Sequence, residues 1–361
     1  MSDYVKKRNS TIEILRIIIM FLIVIHHCVV HSGFPTQVYN FNFNKIILGW
    51  LRLGDLSVDV FVIIMGYYTC KIGFHFKKFL KLYSSVLFYS ILFFIIGCII
   101  GYNIDFIILG KSLFPFILNH YWFISVYFLI QIFSPFINIF IKSISKKGLD
   151  KCILIMLFFW SVVPTFTTKL MYGTEIAQFL MLYLIGARIR LYPLEYSKYK
   201  QYINLGIIIP IVLLYGASFV IEFLKKYISI FVGREYFLYG RNSILIISIA
   251  TCLVLKFTGI KQFHNRIINK VSDCMFGVYL IHENIIMREI TWKQLFSNVN
   301  YFNNVSLGFR IIISSFVVFC ACVVIEYFRK RFLEIKIVLI FEKIYKKLIL
   351  YIKSYSKYKK I

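Results

Sequence analysis

One apolar stretch near the N-terminus, RIIIMFLIVIHHCVVH from Arg16 to His31, carries an arginine at one end and three histidines at the other. A histidine, with an ordinary pKa near about 6.5, is the side chain best matched to taking and returning a proton at neutral pH. An arginine presents a fixed cation whose planar fork matches phosphate. On a helix, the steps from Arg16 to His27 make three turns plus roughly 20° and cover about 16 Å along the axis. Arg16 and His27 therefore share one face, while His26 lies about 80° away from that line. Glu13, about one turn before Arg16, can pair with it. The helix thus offers an anion-holding end, Glu13 and Arg16, and a proton-accepting end, His27 and His31.

What such groups face is set by composition. Of 361 residues, 60% are hydrophobic and the mean hydropathy is +0.76, against about 45–50% apolar in soluble domains. The excess falls in blocks of roughly 17–25 residues, the length that crosses about 30 Å of hydrocarbon. About ten spans are expected, near 11–31, 46–70, 80–101, 121–141, 152–168, 175–190, 202–223, 241–260, 271–287 and 308–328. The fold class is therefore all-α and polytopic, with residues 1–330 forming one integral membrane domain and no linker or fixed-period repeat. Lys and Arg concentrate in alternate loops: Lys6 to Arg8, Lys71 to Lys81, Lys142 to Lys151, Arg188 to Lys200, Lys256 to Lys270, and Arg329 to Lys360. These are assigned to the cytoplasm, which places both termini inside. The opposite loops hold fewer cations, apart from a cluster between Lys225 and Arg241.

The net charge of +26 reads as this positive-inside signal together with contact to anionic membrane lipids, and not as nucleic-acid binding. The tail over 331–361 mixes apolar and basic residues at helical spacing, as expected of a helix lying on the inner membrane face. The eight cysteines show no C-x-x-C pair, so no metal or redox site is expected. The N-terminal apolar run is too long for a signal peptide, holds Arg16 and His27, and has no small-residue cleavage site, so it reads as an uncleaved first span.

Ionisable groups inside a membrane normally face a bundle interior or a wet cavity and mark a site. On this reading Arg16 and His27 are functional. The competing reading, in which arginine snorkels and the histidines rest at an interface, suits His26 and His31. Asp59 sits inside the second span, where a carboxylate is costly, and belongs to a polar site. His282 and Glu283 lie together near the outer end of the ninth span. Trp122, Tyr127 and Tyr279 suit stacking on a sugar or lining a pore, beside the plainer reading as interfacial aromatics. Gly66 and Gly277 suit close helix packing.

The segment RNSTIEILRIIIMFLIVIHHCVVHSGF resembles the opening of the acyltransferase-3 family of integral membrane enzymes, whose first span carries Arg-x10-His, matched by Arg16 and His27. SVDVFVIIMGYY is similar to the family's second-span motif through Asp59, Phe61 and Gly66, with Val62 in place of a second Phe and Met65 in place of a Ser. Further likenesses follow in order: Trp122, Phe123 and Tyr127; Tyr183 and Gly186; and Gly277, Tyr279 and His282. The look is closest to Gram-positive members that acetylate capsular or other cell-surface polysaccharides.

The resemblance implies transfer of an acyl group, usually acetyl from cytoplasmic acetyl-CoA, to a glycan hydroxyl at the cell membrane. Arg16 would hold the phosphates of the acyl-CoA and His27 would be the general base. Asp59 or Glu283 would supply the carboxylate that orients it, and His282, Glu283, Trp122, Tyr127 and Tyr279 would contact substrate. A transporter or flippase for a lipid-linked glycan is the alternative of a different class.

The topology has a direct test. Lys78→Cys, Lys146→Cys and Lys261→Cys are each expected to resist an impermeant thiol reagent added to intact cells. Ready labelling at these positions overturns the ten-span arrangement.

Overall fold

Asn9 sets the start of the first helix. Its side-chain oxygen accepts from the Thr11 amide at 3.0 Å, which satisfies one of the donors left free at a helix N-terminus. The structure is a computed structural model that describes residues 8–36, 38–167, 174–228 and 237–339. Among these residues the elements run α1 (Ser10–His31), α2 (Phe43–Trp50), α3 (Gly54–Ile72), α4 (Phe76–Ile99), α5 (Phe106–Leu113), α6 (Trp122–Ser143), α7 (Lys146–Leu157) and α8 (Val163–Thr167). There follow α9 (Thr174–Leu191), α10 (Tyr196–Leu224), α11 (Ile244–Gly259), α12 (Arg266–Asp273), α13 (Met275–His282), α14 (Ile285–Arg288) and α15 (Leu307–Phe332). No strand occurs among the described residues. The all-α polytopic architecture expected from the sequence is the one observed.

Among the described residues six helices are long and apolar enough to cross a membrane: α1, α4, α6, the continuous Lys146–Thr167 rod, α10 and α15. The other four expected spans are helical but differ in physical character. α3 carries Asp55, Asp59 and Lys71, and α9 ends on Arg188 and Arg190. α11 has 16 residues. The stretch expected over 271–287 is broken, with α12 ending before Cys274, α13 ending at His282 and α14 starting beyond Asn284. The tail expected over 331–361 is described only to Leu339, and 340–361 lie outside the described residues.

Packing orders these helices around two apolar clusters. One gathers residues of α3, α9 and α11; the other gathers α13, α15 and parts of α4 and α6, and α1 contributes to both. α3 and α9 touch backbone to backbone. A Cβ on Gly66 would collide with the Tyr183 backbone, and one on Gly186 would collide with the Ile63 carbonyl. This reciprocal approach needs glycine on both sides, the small-residue solution usual between membrane helices. α6 is tied to the same pair: Tyr183 donates to Asn138 Oδ1 at 2.7 Å, and Asn138 Nδ2 donates to the Thr69 carbonyl at 3.0 Å.

The two ends of α1 dock onto different parts of the α12–α14 region. At its N-terminus, the Ser10 amide donates to the Phe263 carbonyl at 2.9 Å, and Ser10 Oγ lies 2.9 Å from Asn269 Oδ1. At its C-terminus, His31 Nε2 lies 3.0 Å from Glu283 Oε2. α1 is thereby held along its length against one broken element.

The glycine contact is open to test. Gly66→Ala and Gly186→Ala are each expected to destabilise the fold by about 1–3 kcal/mol, the usual effect of overpacking. Gly216→Ala, where a Cβ meets open space, is expected to be neutral or mildly stabilising. Thermal unfolding in detergent measures all three. Equal melting temperatures for Gly66→Ala, Gly186→Ala and wild type would rule out the close approach.

Candidate active site

His282 ends α13 and Glu283 caps it, its amide still bonded to the Tyr279 carbonyl at 3.1 Å, so both residues meet the histidine end of α1 from the last turn of that helix. His27 Nδ1 lies 2.9 Å from His282 Nε2 and 3.0 Å from Glu283 Oε2. The protons in this cluster follow from the acceptors. His282 Nδ1 lies 2.5 Å from the Val278 carbonyl, which can only accept, so that nitrogen carries the proton of a neutral ring and His282 Nε2 keeps the lone pair. His27 must then donate from Nδ1, which leaves the lone pair on its Nε2. Glu283 is an acceptor hub: its Oε2 also meets His31, and its Oε1 lies 3.6 Å from Arg288 Nη1.

His27 opens onto a cavity of about 690 Å³ whose wall includes His26, His31, Trp122, Arg241, Tyr279 and Glu283. The His26 ring lies against Gly54, where a Cβ would collide with it. Across from the histidines, the Arg241 guanidinium sits 4.3 Å above the Trp122 ring and 2.8 Å from Glu175 Oε1. Asp55 completes that wall. The lining thus combines aromatic faces with acids and bases, a chemistry suited to a polyhydroxylated molecule.

A second cavity, of about 480 Å³, lies toward the other end of α1 and is bordered by Arg16, Lys78, Lys81, Tyr127, Arg329 and Lys330. Arg16 Nη1 is 3.4 Å from Glu13 Oε2. Glu13 is also held by Arg8 at 2.6 Å and by the Ser272 hydroxyl. Arg16 Nε is buried without a protein partner. The acids on this wall are engaged: Glu326 accepts from Arg329 at 2.6 Å and from the Tyr89 hydroxyl at 2.6 Å, and Glu334 pairs with Lys81 at 2.7 Å. Ile23, Phe123 and Tyr279 line both cavities and form the partition between them.

The structure therefore brings His27, His282 and Glu283 into hydrogen-bond contact. Trp122 stands on the wall of the His27 cavity and Tyr127 on that of the Arg16 cavity, with Tyr279 common to both. Asp59 is elsewhere. It is fully buried between α3 and α9, where its Oδ1 accepts from Gln178 Nε2 at 3.0 Å, and the same Gln178 nitrogen donates to the Arg241 carbonyl at 2.7 Å. Of the two carboxylates considered for orienting His27, Glu283 is the one within reach.

Arg241, Glu175, Arg288 and Asp55 were not singled out from sequence. Only Asp55 had a local signal, since it precedes Asp59 by one helical turn on the same face. His27, His31 and Glu283 also offer donor atoms within 4.8 Å of one another, a set that by ligand type would accept a transition metal.

The sequence matches the acyltransferase domain of the acyltransferase-3 family over residues 9–327. The chain belongs to that family. It is a multi-pass membrane acyltransferase, and the expected membership is the one found. No curated protein and no solved structure matches it significantly.

The two carboxylates separate by experiment. A hydrogen bond to a charged group contributes about 1.5–3 kcal/mol, so Glu283→Gln is expected to slow acyl transfer by about 10- to 100-fold. Asp59→Asn is expected to retain transfer per folded molecule and to alter folded yield instead. Rates measured in membranes at matched protein levels decide it, and a larger rate loss for Asp59→Asn reverses the assignment.

Proposed function

We propose that the chain moves an acetyl group from cytoplasmic acetyl-CoA to a hydroxyl of a cell-surface or lipid-linked polysaccharide, at the cell membrane. One observation carries this reading: two cavities share a three-residue partition, with the Arg16 guanidinium on one and the His27 ring on the other. The inner cavity, with Arg16, Lys78, Lys81 and Lys330 on its wall, suits the phosphates of an acyl-CoA. The pantetheine arm is a thin chain of the order of the roughly 16 Å that separates Arg16 from His27 along the helix. Threaded through the partition, it would present the thioester at the outer cavity, where the glycan enters from the other side.

The chemistry is acyl transfer by general base catalysis. His27 Nε2 accepts the proton of the sugar hydroxyl as its oxygen bonds to the thioester carbon. The carbonyl π pair moves to oxygen, giving a tetrahedral oxyanion. Collapse restores the carbonyl and breaks the C–S bond. The CoA thiolate leaves with the proton held on His27, so the products are a sugar ester and free CoA. Glu283 and His282 hold the ring and stabilise its transient positive charge.

Acetyl transfer in membranes with equal amounts of each variant tests the assignments. His27→Ala and His27→Gln are expected to lose about 10²- to 10⁴-fold in rate, since neither can cycle a proton. His26→Ala is expected to lose little beyond its packing on Gly54. Arg16→Ala is expected to raise the KM for acetyl-CoA more than that for the acceptor, with Arg16→Lys recovering part. An active His27→Ala protein, or transfer abolished by a chelator and restored by zinc, rejects the metal-free base. In cells, loss of glycan O-acetyl groups with normal polymer length supports transfer, whereas loss of the whole polymer favours the flippase reading.

A further inference from the structure

The reaction proposed above develops a negative charge on the thioester oxygen, and that charge forms where bulk water is scarce. Electrostatic stabilisation of such an oxyanion needs a donor already in place. Most polar groups around His27 are committed: His282 and Glu283 to His27, His31 and Arg288 to Glu283, and Arg241 to Glu175. One donor is different. The Tyr279 side chain is 4% exposed, and its hydroxyl has no hydrogen-bond partner in the protein. A buried hydroxyl without a partner is costly, typically by about 1–3 kcal/mol, unless a ligand completes it.

Its position is equally specific. Tyr279 belongs to the partition that lines both cavities. A thioester threaded through the partition into the outer cavity passes beside it. Its ring centre lies 6.2 Å from that of His27 and 6.1 Å from that of His282. Placement on α13, one turn before His282, fixes this relation through the same backbone that orients the base. Phe123 and Tyr121, with ring centres at 5.7 and 6.0 Å, pack against the phenol ring. Two other unpartnered groups line the outer cavity, Ser243 Oγ and His26 Nδ1, but neither residue reaches the inner one.

We propose that Tyr279 is a catalytic residue whose hydroxyl donates a hydrogen bond to the thioester oxygen as it becomes the oxyanion. No proton is transferred from Tyr279: the phenol polarises the carbonyl, stabilises the tetrahedral intermediate, and is unchanged when the thiolate leaves. This rests on the acyl-transfer reading of the site.

Tyr279→Phe keeps the ring and its packing and removes only the donor. The expected result is a fall in kcat of about 10²- to 10³-fold, as for loss of one oxyanion donor, with KM values for acetyl-CoA and acceptor within about threefold because the bond strengthens in the transition state. A second measurement guards against a folding defect. Fluorinated tyrosines placed at position 279 keep the hydroxyl while changing its acidity, and kcat is expected to track that acidity. An unchanged kcat in Tyr279→Phe, a loss confined to KM, or rates indifferent to phenol acidity would each overturn the proposal. Failure of the underlying reading looks different, since then the wild-type protein transfers no acetyl group and His27→Ala changes nothing.

Discussion

A polar side chain inside a membrane-spanning helix must find its hydrogen bonds on neighbouring helices, because the lipid offers none. Much of this protein can be understood from how that constraint is met at His27. Its partners come from α13, a helix only eight residues long that ends where Glu283 and Asn284 begin. The break releases backbone groups that need new partners, and Asn284 meets part of that need by capping the Ile286 amide at 3.0 Å. Asn284 also donates to the Tyr121 hydroxyl at 3.1 Å, and that hydroxyl in turn donates to the Leu280 carbonyl at 3.1 Å. The irregular backbone is therefore buried in protein, the setting in which membranes tolerate it.

The same logic governs the other end of α1. Glu13, 3% exposed, would be prohibitive alone. Arg8, Arg16 and the Ser272 hydroxyl surround it. Arg16 shares that carboxylate with Arg8, which also pairs with Asp273, and the Arg16 side chain stands on the wall of the inner cavity. Glu326 is handled similarly by Arg329 and Tyr89, and Gly277 leaves the room its carboxylate occupies. There Glu326 and Glu334 are matched by Arg329 and Lys81, while Lys78 and Lys330 stand on the same wall.

The alignment of Arg16 with His27 could be read from the sequence because it depends only on helical periodicity within one segment. The all-helical membrane class was equally legible in the length and spacing of apolar runs. What could not be read were relations between segments. Nothing local indicates that Glu283, and not Asp59, approaches His27, because the answer lies in the packing of α1 against the end of α13 and in the choice of Gln178 on α9 as partner for Asp59. Nor does a single residue type announce Arg241, which reaches the site from the residues just before α11 and settles on Trp122. The glycine pair was half legible. Gly66 suggested close packing, but its counterpart Gly186 emerged only from the crossing of α3 and α9.

The partition of Ile23, Phe123 and Tyr279 has a consequence for the cell as well as for the reaction. A membrane that stores energy as an ion gradient cannot hold an open aqueous channel, yet under the proposed reaction an acyl group made on one side and used on the other would have to cross. Two blind cavities separated by an isoleucine, a phenylalanine and a tyrosine reconcile these demands. The barrier is mostly apolar, a lining that disfavours passage of a hydrated ion. A slender thioester arm can part the same side chains and fill the gap it makes. Under that proposal the group would cross while the seal against ions is kept.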